Sequence, residues 1–469
     1  DGDDERLGAR GDARQRGVDR RGEGGGWSGG SRHVVSEGSG LQIVAAPLQR
    51  HPLTPSRPDA IPRRLSDTSA MDAPSTALRR PLADLETPAL LLDTPRLQAN
   101  LLRMAQRMAA LGVRLRPHVK TAKCLPVAAA TDAANLAAGV PGAAEHGPIT
   151  VSTLREADQF AAAGWRDITY AVGLTANKFA HVRRLLDAGV TLTVILDGVD
   201  AAQALSAAAV HWGTPVQVLI EIDSDGQRAG LRPDVAALLD VAAALGGPGV
   251  RLDGVLTHCG GAYHGHGEAA LRAIAEQERA GAVHAAERLR AAGFAAPVVS
   301  VGSTPTALFA EQLAGVTEVR AGVYVFMDLM MAALGVCRLD EIAASVLTAV
   351  IGHQPDRGWT LIDAGWMALS RDRGLAGEFT DQGLGLVCDA AGSPIGEDGG
   401  EWIVSAANQE HGIVTHRSGD PTRRLELPVG TLLRVLPNHA CATAAQHAHY
   451  ELLGADGRVN GRWARFMGW

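Results

Sequence analysis

The chain has few of the features that tie a protein to an oxidising compartment, a membrane or nucleic acid. Its five cysteines are odd in number and widely spaced, which favours a reducing compartment over a disulfide framework; they are Cys124, Cys259, Cys337, Cys388 and Cys441. It lacks an uninterrupted apolar run of about eighteen residues and a basic start followed by an apolar segment, so neither a membrane span nor a secretory signal is indicated. The net charge of −7 and the pI near 6.2 give no basic field for nucleic acid. We therefore expect a soluble, cytoplasmic protein that binds neither a membrane nor nucleic acid.

The first seventy residues differ from everything that follows. They contain eleven arginines and ten acidic residues but no lysine, and Trp27 is their single aromatic residue. Such a segment cannot bury enough apolar surface to offset the entropy of ordering, so residues 1–75 are predicted to be a disordered tail. Met71 is the first methionine, which suggests that the tail is upstream sequence and not part of the native product. A transit peptide is the alternative, and the acidic residues argue against it.

The remaining chain, long and nearly half apolar, can bury a large core. Thr87–Asp93 is predicted to be a strand, followed by a helix with Thr94 as N-cap and Pro95 as first residue. Eight further β-rich runs then alternate with amphipathic, alanine-rich segments: 113–116, 149–151, 168–171, 191–196, 216–222, 252–257, 298–301 and 318–320. Eight repeats of strand and helix predict a parallel (β/α)8 TIM barrel over residues 94–335, with a doubly wound open sheet as the alternative.

After about residue 340 the helical periodicity disappears. Runs that alternate or are continuously apolar lie between Gly, Asp and Asn turns: 344–353, 359–370, 384–388, 402–406, 431–436 and 450–453. These runs predict a C-terminal β-rich domain over residues 336–469. The early strand at residues 86–93 precedes the barrel and is expected to join this sheet.

Reactive side chains are concentrated where the predicted barrel strands end, which is where barrels of this kind carry their working residues. They are His118, Lys120 and Lys123 after strand one, the segment 221–230 with Arg228 after strand five, His258 and Tyr263 after strand six, Gly302, Ser303 and Thr304 after strand seven, and Tyr324 after strand eight. The sequence therefore predicts a site at this end of the barrel.

The turn Gly302-Ser303-Thr304 opens a predicted helix and permits two interpretations. Backbone N–H groups and a helix dipole at this position often bind phosphate in barrels. The plainer interpretation is an N-cap before Pro305, which taken alone is the favoured one. A lysine on the same rim strengthens the phosphate interpretation, because a phosphate-bearing aldehyde cofactor needs both.

Lysine is the side chain that can hold an aldehyde as a Schiff base and also transfer protons. Lys120 and Lys123 are both candidates, and each is also explained as an ordinary solvated loop lysine. Arg116 and His118 supply nearby positive charge that would lower a lysine pKa. Spacing alone does not separate the two lysines.

His439 and Cys441 follow the last long apolar run. If the strand continues through them, both side chains point to one face and can bind one divalent metal, with positions left for water and substrate. The plainer interpretation is a half-buried cysteine beside a polar histidine. His447 and His449 are either additional ligands or surface residues.

Several segments in order resemble the fold-type III pyridoxal-phosphate enzymes, and within them the branch of metal-dependent D-serine dehydratases and D-threonine aldolases. The resemblance extends from about Thr87 to the end of the chain. Its segments are TPALLLD at Thr87, RPHVKTAK at Arg116, DSDGQRAG at Asp223, THCGGAY at Thr257, VGSTPT at Val301, RAGVYVFMD at Arg320, LIDAGWMALSRD at Leu361 and PNHACAT at Pro437.

The resemblance implies a set of roles. Lys120 would bind the aldehyde of pyridoxal 5'-phosphate and act as the catalytic base, Gly302, Ser303 and Thr304 would hold the phosphate with Tyr324 nearby, and Arg228 would face the pyridine nitrogen. His258 and Tyr263 are also expected to contact the cofactor. His439 and Cys441 would bind a divalent metal, zinc by preference with manganese or magnesium as alternatives. Cys441 stands where the aldolases usually carry an acidic residue, so the chain leans toward the dehydratases.

The implied reaction is conversion of a β-hydroxy D-amino acid, D-serine first, to a keto acid and ammonia. The alternatives on the same scaffold are a D-threonine aldolase and a 3-hydroxyaspartate aldolase or dehydratase. More remote are a racemase, which would need no metal pair, and a non-catalytic cofactor carrier, which would lack the β domain. A homodimer is expected from the resemblance.

Overall fold

The computed structural model describes residues 79–396 and 399–469. The predicted disordered tail, residues 1–75, lies outside the described residues. Within the described residues, no helix combines the length and apolar character needed to cross a bilayer.

The first domain is a parallel eight-stranded sheet, as predicted. Its strands are β2 (Arg114–Leu115), β3 (Ile149–Val151), β4 (Asp167–Gly173), β5 (Thr191–Leu196), β6 (Val216–Ile222), β7 (Val250–Thr257), β8 (Val298–Val301) and β9 (Glu318–Val319). They follow the order β2-β9-β8-β7-β6-β5-β4-β3. A parallel bridge between His118 and Thr150 joins the ends of β2 and β3, so the sheet curls into a barrel and the open-sheet alternative is wrong.

Helices follow the strands and cover the outside of the sheet. They are α1 (Thr94–Ala110), α2 (Leu125–Ala138), α3 (Leu154–Ala162), α4 (Phe179–Asp187), α5 (Val199–Ala209), α6 (Ala237–Ala244), α7 (Gly267–Ala291), α8 (Thr304–Phe309) and α9 (Leu329–Ala333). The N-cap of α1 is Asp93 and not Thr94, because the Asp93 carboxylate accepts a hydrogen bond from the Arg96 N–H at 3.1 Å. Leu97, Leu101 and Met104 on its inner face are buried, as their spacing predicts.

A buried ion cluster fills the barrel at the amino ends of its strands. Arg116 contacts Glu318 through Nε at 2.9 Å and Asp167 through Nη1 at 2.7 Å, and Arg114 also pairs with Glu318. Burial opposes the charge on Glu318, but the neighbouring Arg116 and Arg114 still lower its pKa to about 2. This is the face of a barrel that serves stability, so Arg116 is a structural residue although it begins the RPHVKTAK segment.

The second sheet has nine strands and is mostly antiparallel. They are β1 (Ala89–Asp93), β10 (Ala344–Gln354), β11 (Trp359–Ile362), β12 (Leu386–Asp389), β13 (Trp402–Ala407), β14 (Gly412–His416), β15 (Leu432–Leu436), β16 (His449–Leu453) and β17 (Val459–Ala464). The order is β11-β14-β13-β12-β15-β10-β1-β16-β17, and a further pairing of β10 with β11 closes six strands into a barrel. β1 pairs antiparallel with β10 and parallel with β16.

Two details of this domain differ from the sequence expectation. The run 359–370 is not one strand, since β11 ends at Ile362 and a short helix, α10 (Trp366–Leu369), follows Gly365. β14 and β17 were not predicted. The short helix α11 (Ala440–Ala444) completes the domain.

Candidate active site

One cavity of about 310 Å³ opens at the carboxyl ends of the barrel strands and is bounded on its other side by the C-terminal domain. Its lining includes every predicted site residue except Tyr324: Lys120, Arg228, His258, Tyr263, Gly302, Ser303, Thr304, His439 and Cys441. Its volume lies within the range typical of small-ligand sites. Residues from both domains thus meet in a single enclosed space.

The two candidate lysines have different surroundings. Lys120 lines the cavity. Lys123 does not, and its Nζ lies 3.0 Å from Oε1 of the buried Glu156. Lys120 is therefore the lysine that shares the cavity with the other predicted site residues.

The Gly302 turn is both a helix start and a wall of the cavity. Ser303 is the N-cap of α8, where its Oγ accepts a hydrogen bond from the Thr306 N–H at 3.2 Å in a capping box. Gly302 has φ +125°, and a Cβ atom there would lie 2.5 Å from the Arg320 carbonyl oxygen. Only glycine fits this close approach of two backbones, so both interpretations of the turn hold together: it caps the helix and it lines the cavity.

The Tyr324 side chain lies away from the cavity. It is fully buried, with Thr131 and Asp132 of α2 beside its hydroxyl. Its connection to the site is its backbone N–H, which donates to Thr304 Oγ1 at 3.1 Å. Tyr324 therefore lies beside the Gly302 turn and supports it through its backbone, and its expected part in binding the cofactor stays a prediction.

Two histidines of the lining are held in the neutral form. Burial and the nearby Arg228 lower the pKa of His258 to about 3, and its Nδ1 lies 3.0 Å from the Gly302 carbonyl oxygen. Burial and the nearby Lys120 hold the pKa of His118 well below its usual value. Both rings can therefore act as neutral hydrogen-bonding groups beside a ligand.

The cavity contains two guanidinium groups. Arg228 is exposed, and its stem lies against Gly260, where a Cβ atom would be 2.9 Å from Arg228 Cγ. Arg320 is buried and donates through Nη1 to Ser300 Oγ at 2.5 Å. The expected contact of Arg228 with a pyridine nitrogen stays a prediction, and the fixed guanidinium of Arg320 is a second donor that sequence reasoning did not single out.

His439 and Cys441 both line the cavity, but not as parts of a strand. β15 ends at Leu436, and His439 is the N-cap of α11. Pro437 explains the difference, because it has no N–H to donate to a sheet. His439 Nδ1 lies 2.7 Å from Asp372 Oδ2, and Cys441 Sγ lies 3.2 Å from Thr121 Oγ1.

The turn that carries this pair is hydrogen-bonded to the end of the barrel. The Ala440 N–H donates to Asp328 Oδ2 at 2.9 Å, and the Leu329 N–H donates to the Pro437 carbonyl at 3.0 Å. Asp328 is buried and also lines the cavity. Asp328, Thr121 and Asp372 are site residues that sequence reasoning missed. All three lie inside the quoted motifs, but their contacts with the His439 turn become visible only in the three-dimensional structure.

The donor set suits a divalent metal. Although burial opposes it, the neighbouring His439 and Lys120 lower the pKa of Cys441 and favour the thiolate, the form that binds metals. No three His, Cys, Asp or Glu side chains cluster to hold a metal in the described ranges. His447 bonds the Ala368 carbonyl at 2.9 Å and His449 lies by Glu451, so neither joins the pair. Two protein ligands leave positions for water and substrate.

The cavity also suits pyridoxal 5'-phosphate. Lys120 would bind its aldehyde, and the Gly302-Ser303-Thr304 and Ala321-Gly322-Val323 turns, which both line the cavity, would hold its phosphate. A Cβ atom at Gly322 would lie 3.0 Å from the His118 carbonyl oxygen. Glycine at these two points lets each turn pack closely against a neighbouring backbone segment at the wall of the cavity.

Comparison with known proteins defines the class. The family described as "Alanine racemase, N-terminal domain" matches residues 92–330, and the family described as "Putative serine dehydratase domain" matches residues 343–453. With the barrel, the β domain and the lysine-bearing cavity, these matches identify a fold-type III pyridoxal-phosphate enzyme. More narrowly, the chain belongs to the family of D-serine dehydratases, D-threo-3-hydroxyaspartate dehydratases and D-threonine aldolases, and it is a pyridoxal-phosphate-dependent lyase.

Three relatives illustrate the range of the family. D-threo-3-hydroxyaspartate dehydratase from Delftia sp. (strain HT23) is 52% identical over 375 residues, which cover 79% of this chain and 95% of the relative. D-serine dehydratase from Dictyostelium discoideum is 27% identical, over 77% of this chain and 91% of the relative. D-threonine aldolase from Arthrobacter sp. is 28% identical, over 78% and 88%.

The solved Delftia enzyme superposes with a TM-score of 0.76 at 51% identity, covering 83% of this chain and 100% of that chain. It has also been solved as a histidine-to-alanine variant and, in the metal-free form, as a cysteine-to-alanine variant. The two substituted positions are two residues apart, as His439 and Cys441 are.

Proposed function

We propose that this lyase removes water from a β-hydroxy D-amino acid, using pyridoxal phosphate bound by Lys120 and a divalent metal bound by His439 and Cys441. The observation that carries the proposal is that the amine of Lys120 lines the same cavity as an imidazole and a thiol from the other domain. We also propose that the barrel spans residues 94–335, that the C-terminal domain spans 336–469, and that the enzyme works as a homodimer.

The residues divide the work as follows. Pyridoxal phosphate, when bound, withdraws electrons from the substrate α-carbon, and a divalent metal makes the β-hydroxyl a better leaving group. Lys120, freed from the cofactor when the substrate binds, removes the α-proton through its Nζ. The walls of the cavity around the reacting atoms include three uncharged rings, those of Tyr263, His118 and His258.

The charges of the cavity support an anionic substrate. Among the described residues that line the cavity, three carry permanent or amine cations, Lys120, Arg228 and Arg320, and two carry carboxyl groups, Glu221 and Asp328. Burial, the largest effect for both, raises the pKa of each carboxyl. The excess of positive charge in the lining favours a substrate that carries negative charge in addition to the phosphate of the cofactor. A β-carboxylated substrate such as D-threo-3-hydroxyaspartate is therefore the first candidate, which the 52% identical relative also supports. D-serine is the second.

The soft thiol at Cys441 supports dehydration over carbon–carbon cleavage. No acidic residue occupies this position, and the thiol's hydroxyl neighbour, Thr121, is neutral. A carboxylate there would offer a base near the substrate hydroxyl, which retro-aldol cleavage requires. The metal is proposed to be zinc on the chemistry of an imidazole and thiolate pair.

The test is product analysis on D-threo-3-hydroxyaspartate, D-serine and D-threonine with the cofactor-loaded enzyme. We expect a keto acid and ammonia from the first two, and loss of both products after chelation with recovery on adding metal. Glycine and an aldehyde without keto acid would instead establish an aldolase. Formation of the L-amino acid, insensitive to chelation, would establish a racemase.

A further inference from the structure

Asp372 lies directly behind the imidazole of His439. Its Oδ2 accepts a hydrogen bond from His439 Nδ1 across 2.7 Å. Because Nδ1 is occupied in this way, Nε2 is the ring nitrogen left to face Cys441 and the cavity. Asp372 itself is not among the residues that line the cavity, so it acts on the site through His439.

Further hydrogen bonds within the protein hold Asp372 in place. The Gly374 N–H donates to its Oδ1 at 2.8 Å, and its own N–H donates to Ser370 Oγ at 3.1 Å. Asn438, the residue before His439, donates through Nδ2 to the Asp372 carbonyl at 3.1 Å. The chain on either side of the histidine bond is thus tied together, and the carboxylate cannot swing away without breaking several contacts.

The other carboxylate near the pair has a different task. Asp328 uses Oδ2 for the Ala440 N–H and Oδ1 for the Met331 N–H at 3.0 Å. It holds the backbone of the turn, whereas Asp372 holds the imidazole ring. Ring orientation therefore depends on Asp372 and not on Asp328.

We propose that Asp372 is the positioning residue of the metal site: by accepting the Nδ1 proton it fixes the tautomer and the direction of His439, so that the Nε2 lone pair points at the metal. The inference rests on the proposed function, because it assigns a partner to one of the two proposed ligands. A histidine ligand whose second nitrogen donates to a carboxylate is pre-oriented and more basic, and removing such a carboxylate commonly weakens metal affinity by about 10–100-fold.

The test is a direct metal titration of the cofactor-loaded, chelator-stripped enzyme. Cobalt(II) serves as the probe, since its visible absorption reports thiolate and imidazole coordination without turnover. Asp372→Ala is expected to raise the cobalt dissociation constant about 10–100-fold, and Asp372→Asn to raise it less, since an amide oxygen still accepts the Nδ1 proton. The matched control is Asp381→Ala, which removes an exposed carboxylate of the same loop that pairs with Arg373 and should leave cobalt binding unchanged.

Each alternative outcome has a distinct meaning. Unchanged cobalt affinity in Asp372→Ala overturns the positioning role. Equal losses of cobalt affinity, cofactor absorbance and thermal stability in Asp372→Ala and Asp372→Asn also overturn it, because they indicate collapse of the loop. His439→Ala separates this inference from the proposed function: if that variant binds cobalt as tightly as the parent, the metal site itself is wrong, whereas its loss of cobalt beside an unaffected Asp372→Ala refutes only the role of Asp372.

Discussion

Replacing Gly302 with alanine should weaken cofactor binding far more than it weakens the fold. At φ +125°, an L side chain adopts a sparsely populated conformation that costs about 1–3 kcal/mol. The new Cβ atom would also lie 2.5 Å from the carbonyl oxygen and 2.9 Å from the amide nitrogen of Arg320. Both atoms are backbone, so the turn must move, and overpacking of this kind costs about 1–3 kcal/mol.

The movement displaces Ser303 and Thr304, which line the cavity beside Gly302. Each 1.4 kcal/mol of lost interaction with the phosphate weakens binding about tenfold, so we expect the dissociation constant of pyridoxal phosphate to rise by about ten- to a hundredfold. The assay is titration of the cofactor-free enzyme, followed by absorbance, alongside urea unfolding.

The matched control is Gly189→Ala. Gly189 has φ +80° and nothing within 4 Å of a new Cβ atom, so alanine there adopts an unfavourable backbone conformation but clashes with no other residue. Gly189 also lies outside the cavity lining. It should lose stability but keep the cofactor affinity of the parent. Parent-like cofactor affinity in Gly302→Ala would refute the assignment of this turn to the phosphate.

Three further predictions concern residues outside the reaction chemistry. Arg116→Met leaves the buried Glu318 without its main partner and should lower the free energy of unfolding by about 3–5 kcal/mol in urea, whereas a loss under about 1 kcal/mol would contradict the ion cluster. Burial is the main reason that the pKa of Asp132 rises from 3.8 to about 7. Between these pH values the folded protein keeps a proton that the unfolded chain has released. That contribution to stability is complete below pH 3.8 and is lost as the pH rises through about 7. Asp132→Asn should flatten this fall between about pH 4 and about pH 7, and an unchanged slope would exclude Asp132 as its source. Tyr324→Phe should keep the parent cofactor affinity, because it is the backbone N–H of Tyr324 that bonds Thr304, and a marked loss would show that the hydroxyl contributes to cofactor binding.

The barrel was predictable from sequence because its strands are short apolar runs bounded by turns. The predicted runs 113–116 and 318–320 contain even the two shortest strands, β2 and β9, which have two residues each. β14 and β17 were missed for a physical reason. β14 follows directly on a polar turn, and β17 has polar residues between Val459 and Trp463, so neither shows a sustained period of two.

The site was predictable where its residues follow strand ends and not where contacts cross the chain. Lys120 and the Gly302 turn lie at the carboxyl ends of parallel strands. These ends all lie at the same edge of a parallel sheet, so residues that follow them come close together. Asp372 is 67 residues from His439 in sequence, and no local pattern connects them. The Tyr324 side chain lies beside Thr131 and Asp132 of α2, a contact between distant segments that residue type does not encode. Pro437 was the available signal that the strand ends before His439.

The most direct test of the central claim is to locate the lysine that carries the cofactor. The cofactor-loaded enzyme is reduced with borohydride, digested and analysed by mass spectrometry for the peptide that gains the pyridoxyl group. We expect the label on Lys120, with none after Lys120→Ala and an unchanged yield after Lys123→Ala. Label on Lys123, or on a lysine outside the cavity, would contradict the account.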